Sequence, residues 1–133
     1  MGITVTKDSI DLGIVVRDID AALAFYRDTL GLEAVGDNAM PGGHMHRLMC
    51  GTSMIKLVLL EKTPEASAPP GGIPGASGYR YWTISVDDCA TAEAACREGG
   101  YRVVIPTREL RPGTTICMVE DPDGNWVEFL QTA

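Results

Sequence analysis

One pattern occurs twice in this chain. The strand-like run Ile10–Val16 is followed by Arg17-Asp18 and a helical stretch, and Tyr81–Val86 is followed by Asp87-Asp88 and a second one. Val16-Arg17-Asp18 and Val86-Asp87-Asp88 hold the same place in each half, 70 residues apart. After each helix come a short strand and a hairpin, so the order β-α-β-β-β appears twice. A repeated unit of this kind cannot bury its apolar face alone and needs its partner to complete a core or a cavity. The expectation is one α+β domain over 1–133: module one about 8–61, a linker at 62–78, and module two about 79–131.

The helical assignments rest on period and caps. Ile19, Leu23, Tyr26 and Leu30 recur on one helical face. Asp18 or Asp20 is placed to cap free N–H groups, and Gly31 sits where a left-handed C-cap belongs, which predicts a helix over about Asp20 to Leu30. Cys89, Ala92 and Cys96 mark the second helix, which Gly99-Gly100 stop. Glu33–Gly36 reads as a short strand and 37–43 as a turn-rich stretch. His44–Cys50 and Met54–Leu60 form a hairpin across Gly51-Thr52-Ser53. In the second half Tyr101–Ile105 is a strand broken by Pro106, and Thr114–Val119 pairs with Trp126–Gln131 around the turn Asp121-Pro122-Asp123-Gly124-Asn125. The linker carries several Pro and Gly residues and cannot hold a ladder or a helix.

Composition excludes several partners. The net charge of −7 comes without any Lys/Arg cluster, and nucleic-acid binding rests on phosphate contacts from basic faces, so DNA, RNA and anionic membranes are disfavoured. No apolar run is long enough to span a bilayer, no charged-then-apolar leader opens the sequence, and the expected location is cytoplasmic. The four cysteines, Cys50, Cys89, Cys96 and Cys117, show no metal-site spacing and read as free, mostly buried thiols. There is no Gly-rich phosphate loop and no nucleophile elbow.

Four segments in order then carry a resemblance: Gly13-Ile-Val-Val-Arg-Asp18-Ile-Asp, Phe25-Tyr26-Arg-Asp-Thr-Leu-Gly-Leu32, Ile84-Ser-Val-Asp-Asp88 and Asp121-Pro-Asp-Gly-Asn-Trp-Val-Glu128-Phe. Through them the chain resembles the vicinal oxygen chelate superfamily, which includes glyoxalase I, methylmalonyl-CoA epimerase, extradiol dioxygenases, fosfomycin-modifying enzymes and bleomycin-binding proteins. The resemblance runs from about Ile10 to Gln131. It implies two tandem βαβββ modules whose curved mixed sheet encloses a cleft, a small-molecule ligand or substrate, and a homodimer. In metal-using members four side chains, usually His, Glu or Gln, point into the cleft from the first and last strands of each half.

Carried over residue by residue, those four positions are Asp11, Lys56, Tyr81 and Glu128, and only Glu128 keeps the expected type. A protonated lysine has no lone pair for a metal and repels one, and a phenol with a reference pKa of about 10 is a poor ligand near neutrality. No cofactor is therefore expected. A divalent metal, if bound, would take Glu128, Asp11 and His46. Strand alternation supports an inward direction for all four: Leu12, Ile14 and Val16, Ile55, Leu57 and Leu59, Trp82, Ile84 and Val86, and Val127 and Phe129 then face the helix layer.

Asp11, Lys56, Tyr81 and Glu128 are thus candidate acid–base groups, and a salt-bridged polar cluster is the plainer alternative. His46 joins them as a candidate base, because His44 and His46 share a strand face. The same pair also reads as a solvated couple at a loop junction. His44, Met54, Thr83 and Trp126 are candidate substrate contacts. Three functions stay open: a metal-independent isomerase, epimerase or lyase acting beside a carbonyl; a non-catalytic drug or metabolite binder of the bleomycin-resistance type; and a variant metal-dependent dioxygenase or glyoxalase-like lyase.

Overall fold

The computed structural model describes residues 2–133. The first half runs β1 (Asp11–Val15), α1 (Ile19–Leu23), β2 (Glu33–Met40), β3 (Gly43–Cys50) and β4 (Ser53–Leu60). The second runs β5 (Tyr81–Ser85), α2 (Cys89–Glu98), β6 (Val103–Arg111), β7 (Thr114–Glu120) and β8 (Trp126–Thr132). Each half forms one four-stranded mixed sheet, ordered β1-β4-β3-β2 and β5-β8-β7-β6. In each, the first strand lies parallel to the last and the other pairings are antiparallel. The expected α+β fold of two βαβββ units is what the chain adopts.

The two faces of each sheet separate by residue type. Val16, Leu48, Ile55, Leu57, Val127 and Phe129 are buried in one core that both halves share, with Leu12, Ile14, Trp82, Ile84 and Val86 packed against it. This is the alternation the sequence required. Both helices are capped by the expected aspartates: Asp18 accepts the Ala21 N–H and Asp88 accepts the Ala90 N–H.

Three elements differ from expectation. The first helix is α-helical only over Ile19–Leu23 and continues as a π-helix over Ala24–Thr29. Two consecutive aromatics on this wider turn, Phe25 and Tyr26, are both fully buried. The second strand does not stop at Gly36. A bulge between Ala34 and Gly36 carries it on to Met40, so the turn is only Pro41-Gly42. The strand after α2 is not broken by Pro106. It continues to Arg111, because β6 is a sheet edge where a missing N–H is tolerated. Its bulge frees the Thr107 N–H, which donates to Glu93 Oε1 at 2.5 Å.

Candidate functional site

The halves meet along two lines. On the helix side the contact is closed. Tyr26 of the first half donates its hydroxyl to Asp121 Oδ2 of the second at 2.6 Å, in a buried setting. Asp121 also accepts the backbone N–H groups of Asp123 and Asn125 on Oδ1 and the Asn125 amide on Oδ2. Burial first, and then the neighbouring Asp121 charge, push the Tyr26 phenol well above its ordinary pKa, so it stays a donor. Phe25 meets Tyr101 edge-on at 4.7 Å, and Tyr26 stacks on Trp82 at 6.2 Å.

Along the strand side the contact is open. No ladder joins β1 to β5. Between these two strands lies a cavity of about 1030 Å³. Apolar side chains such as Leu12, Ile14, Trp82 and Trp126 line it, together with Asp11, Tyr81, Arg80 and Asp123. The linker is strapped beside it. Arg80 donates to the carbonyls of Gly72, at 2.6 Å, and Pro69, at 2.7 Å. Arg17 reaches the Ala66 carbonyl and the Ser67 hydroxyl. Gly72 lies flat against the Trp126 indole: a Cβ there would sit 2.0 Å from ring atoms, and its φ is +56°.

The candidate residues fall into separate groups. Asp11 and Lys56 share the face opposite the helices, with Asp11 Oδ2 3.7 Å from Lys56 Nζ. Lys7 also donates to Asp11 Oδ1 at 2.8 Å, and that bond is the main reason the Asp11 carboxyl lies below its ordinary range. In the other half Thr83 donates to Glu128 Oε1 at 2.7 Å across β5 and β8. Among the described residues no hydrogen bond or ion pair links these two couples. Tyr81 and Trp126 stand opposite each other on β5 and β8, and both line the cavity. Met54 shares the Asp11–Lys56 face, and Met54, Lys56, Thr83 and Glu128 all lie outside the cavity lining.

The histidines need correction. His46 is paired with Leu57 and His44 with Leu59, so both project to the helix side of the sheet, away from Lys56. Neither joins Asp11 or Glu128, and the set Glu128, Asp11 and His46 is not assembled. Their neighbour is Asp37, 3.5 Å from His44 Nε2 and 3.9 Å from His46 Nδ1. The residue of that strand on the Lys56 face is Arg47, directly across from Lys56, with Met45 and Met49 beside it.

Sequence reasoning also passed over Asp123, which it took as turn chemistry. Asp123 lines the cavity, and burial first, then Asp121, raise its carboxyl above the ordinary value. Two carboxyls from different halves thus line one cavity, Asp11 lowered and Asp123 raised from their ordinary values. The turn signal itself held the clue, since it places two aspartates beside the first residue of the last strand.

The superfamily's divalent metal does not fit its usual four positions here. One is an ammonium, Lys56, and it already neighbours the nearest carboxylate, Asp11.

A family model described as the Glyoxalase/Bleomycin resistance protein/Dioxygenase superfamily matches residues 8–129. The lactoylglutathione lyase of Neisseria meningitidis serogroup B is 31% identical over 119 residues, covering 87% of this chain and 84% of that protein. The Haemophilus influenzae protein of the same name is 31% identical over 126 residues, covering 87% and 86%. Among solved structures, a glyoxalase family protein from Bacillus cereus superposes with a TM-score of 0.83 at 17% identity over 99% of this chain and 98% of that one. A glyoxylase/bleomycin resistance protein/dioxygenase domain from Frankia gives 0.77 at 17% over 98% and 94%. Two βαβββ halves, the helix-side clasp and the family match over nearly the whole length lead to one conclusion: the chain belongs to the glyoxalase/bleomycin resistance protein/dioxygenase superfamily.

Proposed function

We propose that the chain is a metal-independent isomerase of the epimerase kind, acting on a small molecule with an apolar body and a carbonyl group. The observation that carries this reading is the cavity between β1 and β5, with a carboxyl from each half, Asp11 and Asp123, in its lining.

The chemistry follows from these groups. Asp11 is ionised at neutral pH and takes the proton from the carbon beside the carbonyl. That C–H electron pair moves onto the carbonyl oxygen and leaves an enolate. The Lys56 ammonium lies outside the cavity lining but only 3.7 Å from Asp11, where its positive charge favours the negative charge that develops beside that carboxylate. Asp123, in the cavity lining from the other half, is the proton donor to the opposite side of that carbon. The substrate carbon is then inverted, and solvent exchange resets both carboxyls. A carboxylate held at low pKa is a weak base, so most of the barrier lowering falls to the groups that stabilise the oxygen charge. Tyr81 is a second donor toward the oxygen. Glu128, held by Thr83, lies outside the cavity lining and takes no step here.

The test is proton exchange. The full chain is incubated in D₂O with 2-hydroxyacetophenone and related α-hydroxy ketones and 2-oxo acids, and deuterium at the α-carbon is read by NMR. Asp11→Asn and Asp123→Asn each lower the exchange rate by about 10²-fold or more, the usual contribution of a positioned acid or base. Exchange unchanged in both variants overturns the mechanism.

One observation favours a second reading. Much of the cavity lining is apolar, and an indole whose far face is already covered by Gly72 makes a stacking platform. A pure binder would use those features alone. It would retain an aromatic ligand in the cavity and return it without deuterium.

A further inference from the structure

The remaining chemistry of this chain lies on the other side of the first sheet. Asp37 on β2 and His44 and His46 on β3 present one carboxylate oxygen and two imidazole nitrogens within 4.8 Å of one another. The register explains the grouping. Asp37 lies directly across from His46, and the two-residue period of a strand brings His44 to the same face one step further on. The bulge at Ala34–Gly36 sets this register, and it is also what extends β2 far enough to include Asp37. The two imidazole rings stand 5.4 Å apart with the carboxylate beside both.

We propose that Asp37, His44 and His46 form a binding site for a borderline divalent transition-metal ion of the zinc, nickel or copper type, distinct from the Asp11–Lys56 face. The donor set suits such ions: two neutral imidazoles and one carboxylate are the ligands they favour, whereas magnesium and calcium want oxygen alone. Metal–ligand bonds of about 2.0–2.2 Å require the three donor atoms to close in somewhat. All three side chains retain solvent exposure, so rotation about their side-chain bonds is available to them.

Three protein ligands leave one coordination position free, as in open rather than closed zinc sites. That position has a place to go. A hollow of about 340 Å³ adjoins the site, lined by Asp37 and His46 together with Leu23, Arg27 and Arg47. Arg27 is tied to Asp28, while the Nε of Arg47 is buried without a hydrogen-bond partner. The hollow leaves room at that position for a water or a small exogenous ligand.

The experiment is a calorimetric titration of the full, metal-stripped chain with Zn²⁺, with Co²⁺ absorption as a second readout. One ion binds per chain, and Co²⁺ gives nitrogen/oxygen-ligated bands without thiolate charge transfer. His44→Gln, His46→Gln and Asp37→Asn each weaken binding by at least about tenfold, the loss that even outer partners of a metal site produce. Asp11→Asn and Lys56→Met leave affinity unchanged, so failure of the proposed isomerase chemistry and failure of this site are read separately. Circular dichroism checks that each variant is folded. No stoichiometric binding by the folded wild-type chain overturns the proposal, as does affinity unaltered in both histidine variants or a thiolate signature pointing to Cys50.

Discussion

The two lines along which the halves meet are built in opposite ways. On the helix side, side chains reach from one half to the other and water is excluded: Phe25 and Tyr26 are fully buried, and Asp121 collects four hydrogen bonds at 5% exposure. On the strand side, β1 and β5 end as unpaired edges with a cavity between them, and the polar groups there are half-exposed. A pseudo-symmetric repeat has two chances to join its halves. Here one junction is closed by buried contacts, and the other is left open with Asp11, Tyr81 and Asp123 in its lining.

That division predicts a graded set of responses. The largest belong to the clasp. Phe25→Ala and Asp121→Ala each lower unfolding free energy by about 3–5 kcal/mol, the first by opening a core cavity and the second by orphaning several buried donors. Chemical denaturation measures both. Gly72→Ala comes next, at about 1–3 kcal/mol, because the added methyl meets the Trp126 ring and the residue needs positive φ. Its signature is a thermal shift together with a red-shifted tryptophan emission as the strap lifts. Tyr26→Phe costs a similar 1–3 kcal/mol, roughly the penalty for leaving one buried acceptor short of a donor.

Smaller and pH-dependent is Glu93. Its carboxyl is lowered to about 2, first by the Thr107 backbone N–H and then by Arg97. A depressed carboxyl adds stability that is present above its unfolded value and lost as pH falls. The contribution is therefore intact above about pH 4.5 and fades towards pH 2. Glu93→Gln flattens the acid limb of the stability curve in that window. Smallest of all are Asp11→Asn and Lys56→Met, which leave the unfolding midpoint unmoved while exchange activity falls. A large stability loss from either erases the contrast between the two junctions.

Much of this was legible in the sequence, and what was not has definite causes. The repeat, the caps and the alternation of Leu12, Ile14, Ile55, Leu57, Val127 and Phe129 follow from local rules that tertiary packing did not override. The π-helical turn was hidden because the spacing of Ile19, Leu23, Tyr26 and Leu30 fits an ordinary helix and carries no mark of a wider turn. Pro106 reads as a breaker only when edge and centre cannot be told apart, and strand order is not a local property.

The site was half legible for the same reason. Parity put Asp11 and Lys56 on one face, but that Thr83 holds Glu128, and that the two couples stay apart, depends on how the strands and sheets sit. The histidines were misplaced because parity was not carried across the hairpin: His46 faces Leu57, so it follows the core side, while Arg47 follows Lys56. Asp123 looked like turn chemistry until its wall of the cavity was visible.

The open junction is tested most directly by NMR titration of the full chain with 2-hydroxyacetophenone. The account predicts saturable amide shifts confined to cavity residues such as Asp11, Leu12, Tyr81 and Trp126, with Tyr26 and Asp121 still. Shifts centred on the clasp, or none at any of the four cavity residues, contradict it.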